Sequence, residues 1–241
     1  MNSANKPARK LAVVTGGSRG IGAAIIHELA RHDFDVLTYA RKEPDLAVLK
    51  NDLQERYKST LGYQLVQASD PLQIESFARY VLSTGRHIDV LVNNAGMFKP
   101  GTLADESSDQ FREMMAVNFD SACQLTKHLL PQMKQAYSGH IINISSIAAI
   151  TAYPSGGSYA TAKTALLGYT RNLRSELKTT GIRVTAVLPG ATLTDSWAGA
   201  GLPDSRFMPA EDVAKVVWAC IDLSERTVVE EILLRPQLGD I

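Results

Sequence analysis

The feature that most constrains this chain is an alternation of seven short apolar runs with longer amphipathic stretches. The apolar runs are 11–17, 34–40, 63–68, 88–96, 140–145, 182–190 and 228–236. Several are nearly unbroken, as in "LAVVT" and "IRVTAVLPG". A strand with one wet face alternates apolar and polar residues. A strand covered on both faces has no polar side, so its apolar run is continuous. Helical periodicity fills 21–32, 45–58, 71–84, 107–135, 159–179 and 210–223. This alternation predicts a doubly wound α/β fold of the Rossmann type: a mostly parallel seven-stranded sheet with helices on both faces, a three-layer sandwich with right-handed crossovers. No repeat, low-complexity tract or linker breaks the pattern, so 10–241 reads as one domain and 1–9 as a flexible tail.

Composition narrows the function classes. The 241 residues carry 25 basic and 25 acidic side chains, with no basic stripe, so nucleic acid is not an expected partner. No apolar run approaches the roughly 18 residues that span a bilayer, and "MNSANKPARK" lacks a signal peptide's apolar segment. Neither membrane insertion nor export is expected. Cys123 and Cys220 sit among helix-like apolar residues and read as buried free thiols, which suits a reducing cytoplasm. Five scattered histidines give no metal-ligand cluster, and no metal site is expected.

The first strand runs into "TGGSRGIG", residues 15–22, with glycines at 16, 20 and 22. Gly16 permits a sharp turn out of the strand, Gly20 lets backbone approach a pyrophosphate, and Gly22 lets the next helix pack closely. The helix opening near Ile21 would aim free N–H groups and its positive dipole end at phosphate. A tight turn without a ligand is the plainer alternative. The second strand ends "TYARK", with Ala40 where an NAD-preferring site has an acid, Arg41 after it, and Arg19 in the turn. Two guanidinium groups and no carboxylate suit a 2′-phosphate, so the expected cofactor is NADP(H).

Tyr159 and Lys163, in "SYATAK", are four residues apart and share a helix face. Free tyrosine titrates near about pH 10; a fixed ammonium beside it would favour the phenolate and lower that value. With 8 tyrosines in the chain, such a pair arises by chance in roughly one chain of three. Company makes it specific. Ser146 lies thirteen residues upstream, at the C-terminal edge of the fifth strand, where a hydroxyl could steady a growing oxyanion or merely cap a turn. Its neighbour Ser145 could instead end the strand. Asn118 interrupts a helical run, a poor place for Asn, and either holds a water linked to Lys163 or packs a kink.

Together these residues resemble the short-chain dehydrogenase/reductase family, in its compact single-domain branch, over about 10–234. "TGGSRGIG" is similar to its cofactor turn, "NNAG" (93–96) to its fourth-strand motif, and "PGATLT" (189–194) to its PGxxxT loop. Asn118, Ser146, Tyr159 and Lys163 fall on its catalytic tetrad. The resemblance implies cofactor contacts at Gly16, Ser18, Arg19, Gly20, Ile21, Arg41, Asp70, Asn94, Ala95, Gly96, Tyr159, Lys163, Pro189, Gly190, Thr192 and Thr194. Two departures stand out. In "VQASDP" a gapless match puts Gln67, not Asp70, at the family's adenine-side acid, and the tail "EEILLRPQLGDI" lacks the usual glycines. That tail is more like reductases of 3-hydroxy acids or pterin-type carbonyls.

The resemblance implies reversible reduction of a small carbonyl to its alcohol, with Tyr159 as acid/base. It also implies a homodimer or homotetramer packed through the helices at 107–135 and 159–179. The segment 193–208, with Trp197, Phe207, Gly199 and Gly201, reads as the substrate loop, and 97–103 as its neighbour. Trp197 could touch substrate or simply pack the loop. An NADP(H)-binding regulator or redox sensor is the alternative, although it would need no proton donor. A structural oligomer module is a third class, with only the long helices in its favour.

Overall fold

The computed structural model describes residues 8–197 and 201–241. Its strands are β1 (Lys10–Thr15), β2 (Phe34–Ala40), β3 (Leu61–Leu65), β4 (Val90–Asn93), β5 (Gly139–Ile144), β6 (Ile182–Pro189) and β7 (Glu231–Leu234). They form one sheet in the order β3-β2-β1-β4-β5-β6-β7, and every adjacent pair is parallel. The helices are α1 (Gly20–Arg31), α2 (Pro44–Tyr57), α3 (Pro71–Ser83), α4 (Ser108–Met115), α5 (Ser121–Ala136), α6 (Gly157–Leu177) and α7 (Ala210–Ile221). Strand order reverses between β1 and β4. Crossovers leave in opposite directions there, and a crevice opens at the C-terminal ends of these two strands.

The unbroken apolar runs are explained by the two faces. Side chains along a strand alternate sides. Ala12 and Val14 of β1 join Ile25 and Leu29 of α1, Leu53 of α2 and Val217 of α7 on one side. Leu11 and Val13 join Phe77 of α3, Leu129 of α5 and Leu173 of α6 on the other. Each such Leu, Ile or Phe contributes roughly 1.5–3 kcal/mol by leaving water. The two apolar layers therefore carry stability, and the sheet's C-terminal edge is left to polar groups.

Several sequence boundaries change, three of them for a visible reason. The single helix expected over 107–135 is divided: α4 and α5 are joined by a π turn at Ala116–Asp120, with Asn118 inside it. The run 228–236 yields only four strand residues, because β7 is an edge strand paired with β6 alone. The run 63–68 becomes 61–65, since pairing with β2 begins at Leu61 opposite Val36. Residues 1–7 lie outside the described residues. Arg9, placed in the tail from sequence, is anchored: its guanidinium donates to the Ala30 carbonyl at 2.8 Å and to Asp33 at 3.0 Å. Among the described residues no helix is long and apolar enough to cross a membrane.

Candidate active site

Four segments meet at the C-terminal ends of β1, β4, β5 and β6. The first is the glycine turn. Gly16 and Gly20 have φ of +66° and +56°. A Cβ on Gly22 would lie 2.3 Å from the Gly16 carbonyl oxygen, so α1 can start this close to the turn only with glycine there. Thr15 Oγ1 accepts from the N–H groups of Asn94 (2.9 Å) and Ala95 (2.8 Å). Asn94 Nδ2 in return donates to the carbonyls of Thr15 and Gly16. These bonds lock the ends of β1 and β4 together and seat the "NNAG" segment beside the turn.

The residues present fit a dinucleotide phosphate. The N-cap of α1 is Arg19, which makes no side-chain cap, and the first turn holds no acid. Its N–H groups and positive dipole end are left to an anion. At the end of β2, Ala40 is buried while Arg41 and Lys42 are exposed. Among the described residues Arg41 has no hydrogen-bond or ion-pair partner. The nearest acid in sequence, Glu43, accepts from the Tyr63 hydroxyl at 3.0 Å. Arg19 is ion-paired with Asp195 of the loop after β6, and both side chains are exposed. Asp70 caps α3, accepting from the N–H groups of Leu72 and Gln73, while Gln67 is exposed.

The second group gathers on β5 and α6. Lys163 falls on the same buried helix stripe as Leu166 and Thr170, so helix periodicity itself drives this lysine into the protein. Its Nζ donates to the Ile144 carbonyl at 2.9 Å, and burial pulls its pKa down to about 8. Ser145 Oγ donates to the Lys163 carbonyl at 3.1 Å and so ties α6 to the end of β5. Ser146 does two jobs. Its Oγ accepts from the Ala148 N–H at 3.1 Å, as a turn cap would, and its hydroxyl stands near enough to Tyr159 to pull that phenol's pKa down.

The expected tuning of Tyr159 is not what this state contains. Burial raises the phenol's pKa, and Ser146 is the opposing influence. Lys163 Nζ lies 5.8 Å from the Tyr159 ring centroid but hydrogen-bonds a backbone carbonyl instead of the hydroxyl. Desolvation therefore dominates, and the Tyr159 phenol is held neutral.

Asn118 is 1% exposed, and its side chain holds backbone. Nδ2 donates to the carbonyls of Met97 (3.0 Å) and Met114 (3.1 Å), and Oδ1 accepts from the Met97 N–H (3.1 Å). Both amide hydrogens are engaged, so only its carbonyl oxygens have capacity for a further hydrogen bond. A Cβ on Gly96 would stand 2.9 Å from Asn118 Oδ1 and 3.6 Å from Lys163 Nζ, which places this segment directly over the lysine.

The last segment follows β6. Pro189 ends the strand, the Gly190 N–H donates to the Leu234 carbonyl at 2.8 Å, and Thr192 Oγ1 donates to the Gly190 carbonyl at 3.0 Å. Thr194 touches the glycine turn: its Cγ2 is 3.1 Å from where a Gly20 Cβ would sit. The loop is stitched at its neck, with the Leu193 N–H donating to Met208 and the Met208 N–H to Ala191. Trp197 packs on Phe207, ring centroids 5.3 Å apart. Gly199 lies outside the described residues. The Phe98 ring meets Tyr159 edge-on, centroids 5.2 Å apart. Sequence reasoning missed Thr15, although it stands inside the quoted motif, and Glu106, which carries no local signal.

Comparison with known proteins agrees with this geometry. A family model described as short chain dehydrogenase matches residues 10–202. Sepiapterin reductase from Chlorobaculum tepidum is 32% identical over 241 residues, covering 97% of this chain and 98% of that protein. The structure of an alcohol dehydrogenase from the archaeon Thermococcus sibiricus, complexed with 5-hydroxy-NADP, superposes with a TM-score of 0.89 at 28% identity, over 96% of this chain and 98% of that one. L-Sorbose reductase from Gluconobacter frateurii, complexed with NADPH and L-sorbose, gives a TM-score of 0.85 at 25% identity, over 95% and 96% of the two chains.

Proposed function

The chain belongs to the short-chain dehydrogenase family, and on that premise we propose that it is an NADP(H)-dependent oxidoreductase interconverting a small carbonyl compound and its alcohol. The observation that carries this reading is the convergence of Ser146 with a neutral, partly buried Tyr159, one helical turn before the buried Lys163. Bound nicotinamide would supply or accept the hydride. In reduction, Tyr159 donates its proton to the oxygen of the forming alkoxide, and Ser146 steadies that oxygen. Lys163 is the cation beside the phenolate that results. Its pKa of about 8 keeps it mostly protonated near neutral pH while leaving it able to pass a proton. Asn118 keeps the 96–98 segment in place over Lys163.

NADP(H) over NAD(H) is supported by the exposed Arg41 and by the lack of an acid at the end of β2. The Phe98 ring set against Tyr159 favours a modest, partly apolar substrate. Residues 10–241 would act as one catalytic domain, in a homodimer or homotetramer packed through α4–α5 and α6. The test follows NADPH consumption with small ketones, aldehydes, β-keto esters and diketones. Tyr159→Phe should bind NADPH normally and lose about 10²–10⁴-fold in turnover. Reduction by that variant at the wild-type rate would remove Tyr159 as the acid.

A further inference from the structure

We propose that Glu106 is a positioning residue for Tyr159: a carboxylate from the loop before α4 that closes the open N-terminus of the helix carrying the proton donor. The proposal rests on the reading of Tyr159 as that donor. It starts from a deficiency. The N-cap of α6 is Gly156, which has no side chain to cap with, and the first turn contains no acid. A 21-residue helix thus begins with its N–H groups unprovided for by its own sequence.

Glu106 provides from outside. Its Oε2 accepts from Ser158 Oγ at 2.7 Å and from the Ser158 N–H at 3.4 Å, across 52 residues of chain. Gln110 Nε2 donates to the same oxygen at 3.4 Å. The other oxygen, Oε1, is buried without a hydrogen-bond partner among the described residues. Withdrawing a carboxylate from water is costly unless charge and donors compensate it. Here the positive end of α6 and the two donors of Ser158 do so.

The fit is tight. Gly157 has φ of +45°, and a Cβ there would lie 2.6 Å from the Gly101 carbonyl oxygen and 3.1 Å from Glu106 Oε2. The Gly101 N–H donates to the Ser155 carbonyl at 3.3 Å. The start of α6 is therefore pressed onto the 101–106 loop, and Tyr159 is the residue after Ser158. One turn further on, Lys163 has its own anchors, the Ile144 carbonyl and Ser145. Glu106 thus governs the first turn, with Tyr159, and not the body of the helix.

The split is testable in the cofactor-free protein. The alkaline titration of Tyr159 is read by tyrosinate absorbance, as the difference between each protein and its Tyr159→Phe counterpart. Glu106→Ala should loosen the first turn, admit water and bring the Tyr159 titration down in pH. Glu106→Gln, which keeps an acceptor for Ser158, should leave it near wild type. With a β-keto ester and NADPH, Glu106→Ala should lower kcat by about ten- to hundredfold, the scale of a misplacement of roughly 1 Å, with the NADPH Kd changed by less than about twofold. The Ser158→Ala/Glu106→Ala double variant should be no worse than Glu106→Ala alone. Three results overturn the proposal: a Tyr159 titration unmoved in Glu106→Ala, a turnover loss matched by an equal loss of NADPH-binding sites, or no rescue by Gln. Full turnover by Tyr159→Phe itself would instead sink the underlying reading.

Discussion

The N-termini of α1 and α6 are treated in opposite ways. The end of α1 is uncapped, acid-free and approached through glycines. The end of α6 also lacks a cap of its own, but a carboxylate from a distant loop occupies it. The same backbone chemistry, unpaired N–H groups and a positive dipole end, receives no anion from the chain at α1, where the proposed cofactor phosphate would sit. It is filled where a side chain must not move. A helix terminus is thus a binding site or an anchor according to whether the chain supplies its own anion.

This contrast can be broken or sharpened experimentally. The largest effect is expected at the open end. Gly22→Ala would push a methyl against the Gly16 carbonyl, a backbone atom that cannot yield without moving the turn. A destabilisation of about 1–3 kcal/mol is expected from such overpacking, together with weakened NADPH binding. Thermal melts and cofactor titration check both. If the variant binds NADPH as well as wild type, the closeness of α1 to the turn is not what shapes the phosphate site.

Arg41→Ala comes next. Losing a charge-assisted contact of about 1.5–3 kcal/mol should weaken NADPH roughly tenfold or more and leave NADH unchanged. An equal loss for both cofactors would show that Arg41 does not address the 2′-phosphate.

Lys163 gives a pH signature at the filled end. Its folded pKa is about 8, below the ordinary 10.5. Between those values the unfolded chain binds more protons, so stability rises with pH across this window, and below about pH 8 the cost of burying the charge is fully present. Lys163→Met should flatten the stability profile between about pH 8 and 10.5, by denaturant titration at stepped pH. A slope equal to wild type would place the linkage elsewhere.

The smallest effect is expected at Asp195, which is ion-paired with Arg19 and would compete with a cofactor phosphate for it. Asp195→Asn should tighten NADPH by about two- to fivefold, the weight of an exposed ion pair. High salt should erase the difference.

The contrast also marks what could be read from the chain. The β2 run, 34–40, is the observed strand, because its neighbours on both faces leave one pattern possible. The glycine turn and the triplet Ser146, Tyr159 and Lys163 could be picked out because local spacing and position relative to strands carry them. The partner of α6 could not. Glu106 is 52 residues from Ser158, and nothing in "LADESS" distinguishes it from a surface acid. The hydrogen-bond acceptor of Lys163 is a backbone carbonyl, which every residue has. The direction of the Tyr159 shift depended on weighing burial against charge, and only tertiary packing supplies the burial. Asn118 is intermediate: its poor fit to a helix flagged an irregularity, and that irregularity is a π turn.

The stitched neck of the 193–208 loop has a consequence for how such a protein diversifies. Its two ends are held together by the Leu193–Met208 and Met208–Ala191 bonds, between the end of β6 and the start of α7. Lengthening a loop already closed at its base costs little entropy, about 0.6 kcal/mol per doubling. The segment between Leu193 and Met208 is therefore an exchangeable cassette. If this segment is the substrate loop, selection can rewrite it without renegotiating the strands, the glycine turn or the hydroxyls of the site.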